Sequence, residues 1–167
     1  MGERFFADAM LGRLAKWMRI IGYDVEYESS INDSELVRRA LADGRIVLTR
    51  DTLLIKRRAL KGNSFFISGD CYRDQLRQVL DNFAIEKSSI LTRCLLCNTP
   101  LSTIPKEKAE RLVPPYVYKT QASFSACMRC GRIYWAGTHR EKIAEELASM
   151  ERDSGGREPP CFCIPPK

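Results

Sequence analysis

The chain has 167 residues, a formal net charge of +6 and 44% hydrophobic residues. That apolar content suits a packed core and excludes a disordered polar tail, and no apolar run approaches the ~20 residues of a membrane helix. The start, MGERFFADAM, lacks a basic stretch followed by an apolar one, so no secretory signal is read and a reducing, cytoplasmic location is expected.

In chain order, strand-like and helix-like segments alternate. RFFA (4–7) is a short apolar run ending at Asp8. Residues 10–21 place Leu11, Leu14, Trp17, Met18 and Ile21 at helical spacing, and Gly22 stops that helix. VEYE (25–28) alternates as a strand does. Asn32 or Asp33 opens a second helix with Leu36, Val37, Ala40 and Leu41 on one face, closed by Gly44. RIVLT (45–49) reads as a buried strand. Asp51 begins a third helix running to about Leu60. SFFIS (64–68) is a fourth strand. Residues 71–83 form a fourth helix, with Leu76, Val79, Leu80 and Phe83 inward. This βα alternation predicts an α/β domain over 1–88, with a mainly parallel sheet and helices on both faces.

After Ser88 the pattern changes to short strands, prolines and paired cysteines, and residues 89–140 are expected to form a small metal-bound ribbon. A charged helix over 141–152, starting from about 139, follows. Residues 153–167 are rich in Pro and Gly and are expected to be irregular. Charge is unevenly spread: residues 93–140 hold 8 basic and 2 acidic residues, against 15 and 13 in residues 1–92. A basic small domain is compatible with nucleic acid, and equally with ordinary solvated cations.

The clearest chemical motif is C-L-L-C (94–97) with C-M-R-C-G (127–131). Two intervening residues let each pair of sulfurs converge, and the 29 residues between pairs are enough for a hairpin to join them. Four thiolates suit tetrahedral zinc and leave no open position for water, so the metal is expected to be structural. Redox dithiols are the competing reading, but a redox pair normally follows a strand of a thioredoxin-like unit. Cys161 and Cys163 fall outside this pattern and read as ordinary thiols; Cys71 reads as a core residue.

The second constellation is acidic. Asp8 ends the first strand, Asp51 ends the third and Asp70 follows the fourth. In a parallel sheet these ends share one rim, where ligands bind. Asp33 and Glu35 start the helix after the second strand and reach the same rim. Each acid also has a plain use: Asp8, Asp33 and Asp51 can cap helices, and Asn32 with Glu35 forms a capping box. Two carboxylates ~4 Å apart repel by roughly 4 kcal/mol at an effective dielectric of 20. Mg²⁺ or Mn²⁺ would relieve that repulsion.

The stretches DAMLGRLAKWMRIIGYD (8–24), NDSELVRRA (32–40), GRIVLTRD (44–51), CLLCNTPL (94–101), VPPYVY (113–118) and CGRIYWAGTH (130–139) carry a family likeness. The chain resembles the Mut7-C ribonuclease family, a branch of PIN-like nucleases with an appended zinc ribbon, over about residues 4–145. The resemblance implies a PIN-like fold and metal-dependent hydrolysis of RNA, leaving a 3′-hydroxyl and a 5′-phosphate. By position, Asp8, Asp33 and Asp51 match the catalytic, metal-holding aspartates, Asp51 within T-R-D. The glutamate that larger PIN domains carry on an additional helix has no counterpart; Glu35 and Asp70 are the candidate additional acids.

Basic residues supply candidate RNA contacts. Arg13, Lys16 and Arg19 lie on the first helix away from its Leu14, Trp17 and Met18 side, and Arg50 adjoins Asp51. In the ribbon, Tyr116, Tyr118, Tyr134 and Trp135 sit among Lys119, Arg129 and Arg132, which suits unpaired bases or a miniature core. Arg13, Lys16, Arg50 and Arg132 are the leading candidates. One histidine, His139, excludes paired-histidine cleavage of RNA; packing or RNA contact is its expected use. A D-x-D phosphatase is disfavoured because Met10 stands where its second aspartate belongs. No Walker A loop, G-x-S-x-G elbow or H-E-x-x-H helix is present. A non-catalytic RNA-binding or protein-interaction module is the alternative.

Overall fold

Four short segments build the first sheet, three of them mainly apolar and one, DVEY, alternating. They are β1 (Arg4–Ala7), β2 (Asp24–Tyr27), β3 (Ile46–Thr49) and β4 (Ser64–Phe66), ordered β2-β1-β3-β4 and paired in parallel throughout. In this computed structural model, residues 2–83, 90–135, 137 and 139–152 are described. The connecting helices are α1 (Gly12–Ile20), α2 (Asp33–Ala42), α3 (Thr52–Ile55) and α4 (Tyr72–Asn82). The expected α/β fold is therefore present.

Alternate strand residues point to opposite faces, and both faces are apolar. Phe6 and Val47 pack with Leu36, Val37 and Ala40 of α2, and with Leu54 and Leu60. On the other face Phe5 meets Tyr23 and Phe83 edge-to-face, at 5.4 and 5.0 Å between ring centres, and Phe83 also meets Phe65 at 5.2 Å. Each fully buried large side chain contributes roughly 1.5–3 kcal/mol, so both helix layers are held by burial.

The third helix differs from expectation. It ends at Ile55, and Arg58–Leu60 is a separate 3-10 turn. Leu54 and Leu60 share one core although six residues apart. A straight α-helix would place them on different faces, since each residue turns ~100°. The break brings both inward.

The chain leaves β1 through α1 to the sheet edge at β2, then returns through α2 across β1 to β3. Strand order thus reverses between β1 and β3. The carboxyl ends of these two strands form the switch point where α/β sheets bind ligands. Gly12 lets the start of α1 approach β2: a Cβ there would lie 2.5 Å from the Tyr27 hydroxyl.

A second sheet is antiparallel, in the order β5 (Leu101–Ile104), β6 (Phe124–Cys127) and β7 (Ile133–Trp135). Two short helices, α5 (Lys106–Ala109) and α6 (Pro115–Thr120), fill the long β5–β6 connection, where the sequence reading expects short strands and prolines. Pro115 opens α6, where its missing N–H costs nothing. These helices close a small core of Ala109, Val113 and Phe124, with Val117, Tyr118 and Trp135 against it.

Residues 1–137 form one compact unit and 138–167 a second. Of the second, α7 (His139–Arg152) is described. Cys161 and Cys163 lie outside the described residues. Among the described residues no helix is long and apolar enough to cross a membrane.

Candidate functional site

The acidic rim is built around Thr49, the last residue of β3, which is fully buried. Its hydroxyl donates to Asp8 Oδ2 and accepts the Asp51 backbone N–H at 2.9 Å. Asp8 Oδ2 also accepts the Arg50 N–H at 3.1 Å, and Oδ1 the Met10 N–H at 2.8 Å. The Asp8 N–H donates to Leu48 O at 3.0 Å, which ties the ends of β1 and β3 together. Asp51 Oδ1 accepts from Leu53 and Leu54 N–H at 2.6 and 3.2 Å. Asp8 and Asp51 are thus caps and rim residues at once. The T-R-D spelling was the visible signal for Thr49, whose bridging role the sequence reading did not assign.

Asp33 is the first residue of α2, while Asn32 caps that helix by accepting the Glu35 N–H at 3.0 Å. Asp33 pairs with Arg57 at 3.1 Å. Glu35 turns to a two-pronged pair with Arg38, at 2.8 and 2.6 Å, which with the nearby charges holds its carboxyl below the ordinary range. Asp70 is exposed and pairs with Arg50. Arg13 lies over the Tyr72 ring at 4.6 Å, and Trp17 stacks on the same ring. Among the described residues the three aspartates are not drawn into one ligand set as the four cysteines are.

The cysteines do converge. The sulfurs of Cys94, Cys97, Cys127 and Cys130 lie within 4.8 Å of one another. Cys94 to Cys130 is 3.6 Å and Cys97 to Cys127 is 3.4 Å. Zn–S bonds of ~2.3 Å in a tetrahedron put sulfurs about 3.8 Å apart, whereas a disulfide needs about 2.05 Å. The donor set fits one zinc ion.

The two knuckles share a backbone design. Asn98 after Cys97 and Gly131 after Cys130 both take positive φ, 62° and 72°. Their N–H groups return to Cys94 O and Cys127 O at 3.0 and 2.9 Å. That left-handed turn is easy for Gly and tolerated by Asn. Amides inside each knuckle, those of Leu96, Cys97, Arg129 and Cys130, reach the sulfurs, and the Arg132 amide does so just past Gly131. Burial alone would raise the Cys94 pKa, but the Tyr134 hydroxyl and the Cys97 and Leu96 amides hold it down, at about 6. Cys127 is lowered in the same way, its burial outweighed by the Cys130 and Arg129 amides. For Cys130 the Arg132 amide lowers the pKa, yet burial and bonds with Cys127 and Cys94 push it to about 11. The Tyr134 oxygen stands 3.1 Å from Cys94 Sγ and accepts the Leu95 N–H at 3.1 Å. Burial first, and then the Cys94 bond, raise the Tyr134 pKa.

The first knuckle is fastened to the parallel sheet. Asn98, almost fully buried, accepts the Val25 N–H at 3.1 Å and donates to Asp24 at 2.7 Å. Asp24 also pairs with Arg45 at 2.6 Å and Arg93 at 3.3 Å. Burial would raise the Asp24 pKa, but the Arg45 and Asn98 hydrogen bonds and the Arg45 and Arg93 charges lower it. Arg19 corrects the sequence reading. Expected on the outer face of α1, it is buried, and it donates to Val25 O at 2.9 Å, Leu95 O at 3.1 Å and Leu96 O at 2.9 Å. The end of α1 packs on the knuckle, and a guanidinium supplies the donors those carbonyls need.

The family model described as Mut7-C RNAse domain matches residues 3–147. No curated protein matches the chain.

Proposed function

Because the chain belongs to the Mut7-C RNAse domain family, we propose that it hydrolyses RNA phosphodiester bonds at the rim formed by Asp8, Asp33 and Asp51. The observation that carries this reading is the Thr49 bridge, which fixes two aspartates at the switch point of a parallel sheet. The oxygens left open on Asp8 and Asp51 are the hard donors that Mg²⁺ or Mn²⁺ takes. Asp51 Oδ2 accepts from no described donor, and Asp8 Oδ1, which accepts only the Met10 N–H, keeps a further lone pair, while Asp8 Oδ2 is filled by Thr49 and Arg50. Asp33 is half exposed, and such an ion pair with Arg57 is worth about 1 kcal/mol or less, so the carboxylate can exchange partners.

Mg²⁺ or Mn²⁺ held by these acids would lower the pKa of a bound water and polarise the scissile phosphate. The chain's own part is to hold the carboxylates oriented. Thr49 and the Arg50 amide fix Asp8, and the first turn of α3 fixes Asp51. Arg57 keeps positive charge near Asp33. Arg50, tied to Asp70, places a second cation at the rim for phosphate. The zinc at Cys94, Cys97, Cys127 and Cys130 is structural, because four thiolates close its shell.

The test is cleavage of structured and unstructured RNA with Mn²⁺ by the wild type, Asp8→Asn and Asp51→Asn. Loss of cutting in both variants supports the site; equal cutting by all three sinks it. A second reading, a non-catalytic RNA-binding or protein-interaction module, draws on the ion pairing of Asp33 to Arg57 and Asp70 to Arg50. RNA binding by a wild type that does not cut with either metal would favour it.

A further inference from the structure

Between α1 and the four-cysteine unit runs a groove of about 410 Å³, lined by Lys16, Leu95, Leu96, Arg132, Ile133 and Tyr134. Two separate parts of the chain each bring one cation to it. Lys16 and Arg132 are exposed, and neither is ion-paired among the described residues. The thiolates do not need them: the sulfurs receive the Leu96, Cys97, Arg129, Cys130 and Arg132 amides, and Cys94 also faces the Tyr134 hydroxyl. The cations are therefore left facing the groove.

The groove also has a direction. Arg13 lies one helical turn before Lys16 on the exposed side of α1, and it stands just after the turn that Asp8 caps. Arg13, Lys16 and Arg132 make a basic track from the acidic rim to the ribbon. Leu96 and the half-buried Tyr134 add apolar surface between the last two cations. The volume falls in the ~300–1,000 Å³ range of small-ligand sites, which suits one nucleotide of a strand and is too small for a turn of duplex.

We propose that this groove binds an unpaired RNA strand, with phosphates on Lys16 and Arg132 and a base against Leu96 and Tyr134. The inference rests on the reading of the chain as an RNA hydrolase and narrows its substrate to RNA with a single-stranded segment. Side-chain cations give phosphate binding, and aromatic and apolar faces take any base, so sequence preference is expected to be slight.

The experiment is fluorescence anisotropy of a labelled oligouridylate with the zinc-loaded full chain, without added Mg²⁺ or Mn²⁺. Lys16→Ala/Arg132→Ala is expected to lower affinity about tenfold or more. It should also make the slope of log K against log salt shallower by about 1.4, at ~0.7 per lost phosphate contact on a single strand. Lys61→Ala/Arg111→Ala, which removes two exposed cations outside the groove, should change the slope by less than half as much. Lys16→Arg/Arg132→Lys, which keeps both charges, should still bind. Equal affinity and slope in wild type and Lys16→Ala/Arg132→Ala would overturn the proposal. So would a duplex binding as tightly as the single strand, or polyglutamate of equal charge displacing the RNA as well as unlabelled RNA does. Because binding is read without a cutting metal, the two readings fail separately. Intact cleavage in the aspartate variants overturns the rim alone; intact binding in Lys16→Ala/Arg132→Ala overturns the groove alone.

Discussion

Asn98→Ala should destabilise the zinc-loaded protein by about 3 kcal/mol, and the sum can be built from its contacts. The Asn98 amide satisfies the N–H of Val25, which is fully buried on the edge strand β2. A buried donor left without a partner costs ~1–3 kcal/mol. The bond to Asp24 is charge-assisted, and such bonds are worth ~1.5–3 kcal/mol, less here because Asp24 keeps Arg45 and Arg93. The φ of 62° adds ~1 kcal/mol for a residue with a Cβ and no compensating side-chain bond. Asn98→Gly removes both hydrogen bonds but keeps the turn, so it should be milder than Asn98→Ala by about that last ~1 kcal/mol. Urea unfolding followed by tryptophan fluorescence measures both. An Asn98→Ala protein within ~0.5 kcal/mol of wild type would refute the claim that this knuckle and the edge of the sheet are one structure.

Four further outcomes follow from other contacts. The Asp24 pKa is depressed on folding, so its stabilisation is present above the ordinary carboxylate pKa of ~3.9 and is lost as pH falls through the lower folded value. The stability gap between wild type and Asp24→Asn should accordingly hold at neutral pH and close below about pH 4 in urea titrations. Tyr134→Phe removes the hydroxyl beside Cys94 and should weaken zinc retention ~10–100-fold, read by competition with a chromogenic chelator. Gly12→Ala drives a methyl into the Tyr27 hydroxyl and should cost ~1–3 kcal/mol by thermal melting, with Tyr27→Ala recovering part of it in the double variant. Thr49→Val keeps the shape but loses the hydroxyl that orients Asp8 and Asp51; single-turnover cleavage should fall well below that of Thr49→Ser.

What the sequence revealed depended on how local the cause was. Apolar periodicity placed all four parallel strands and their helices, because burial of Phe6, Leu36 or Val47 is written residue by residue. The cysteine pairs were legible because a metal demands a fixed spacing. The break after Ile55 was not, since it answers to Leu54 and Leu60 sharing one core, a tertiary condition. The small helices α5 and α6 were hidden by prolines, which suit helix starts as well as loops. Arg19 misled for the same reason: on its own helix it reads as an outward cation, and only the Leu95 and Leu96 carbonyls, 76 and 77 residues away, explain its burial. At the rim, sequence position named Asp8, Asp33 and Asp51. Thr49 as the link between Asp8 and Asp51, and Arg57 as the partner of Asp33, needed the fold.

The central claim is that this chain uses a second metal, apart from zinc, at the carboxyl ends of β1 and β3. Electron paramagnetic resonance of free Mn²⁺, titrated with zinc-loaded protein, tests it most directly. Mn²⁺ should bind the wild type and be lost from Asp51→Asn and Asp8→Asn while their zinc content stays unchanged. Equal Mn²⁺ binding by all three proteins, or none by the wild type, would contradict the account.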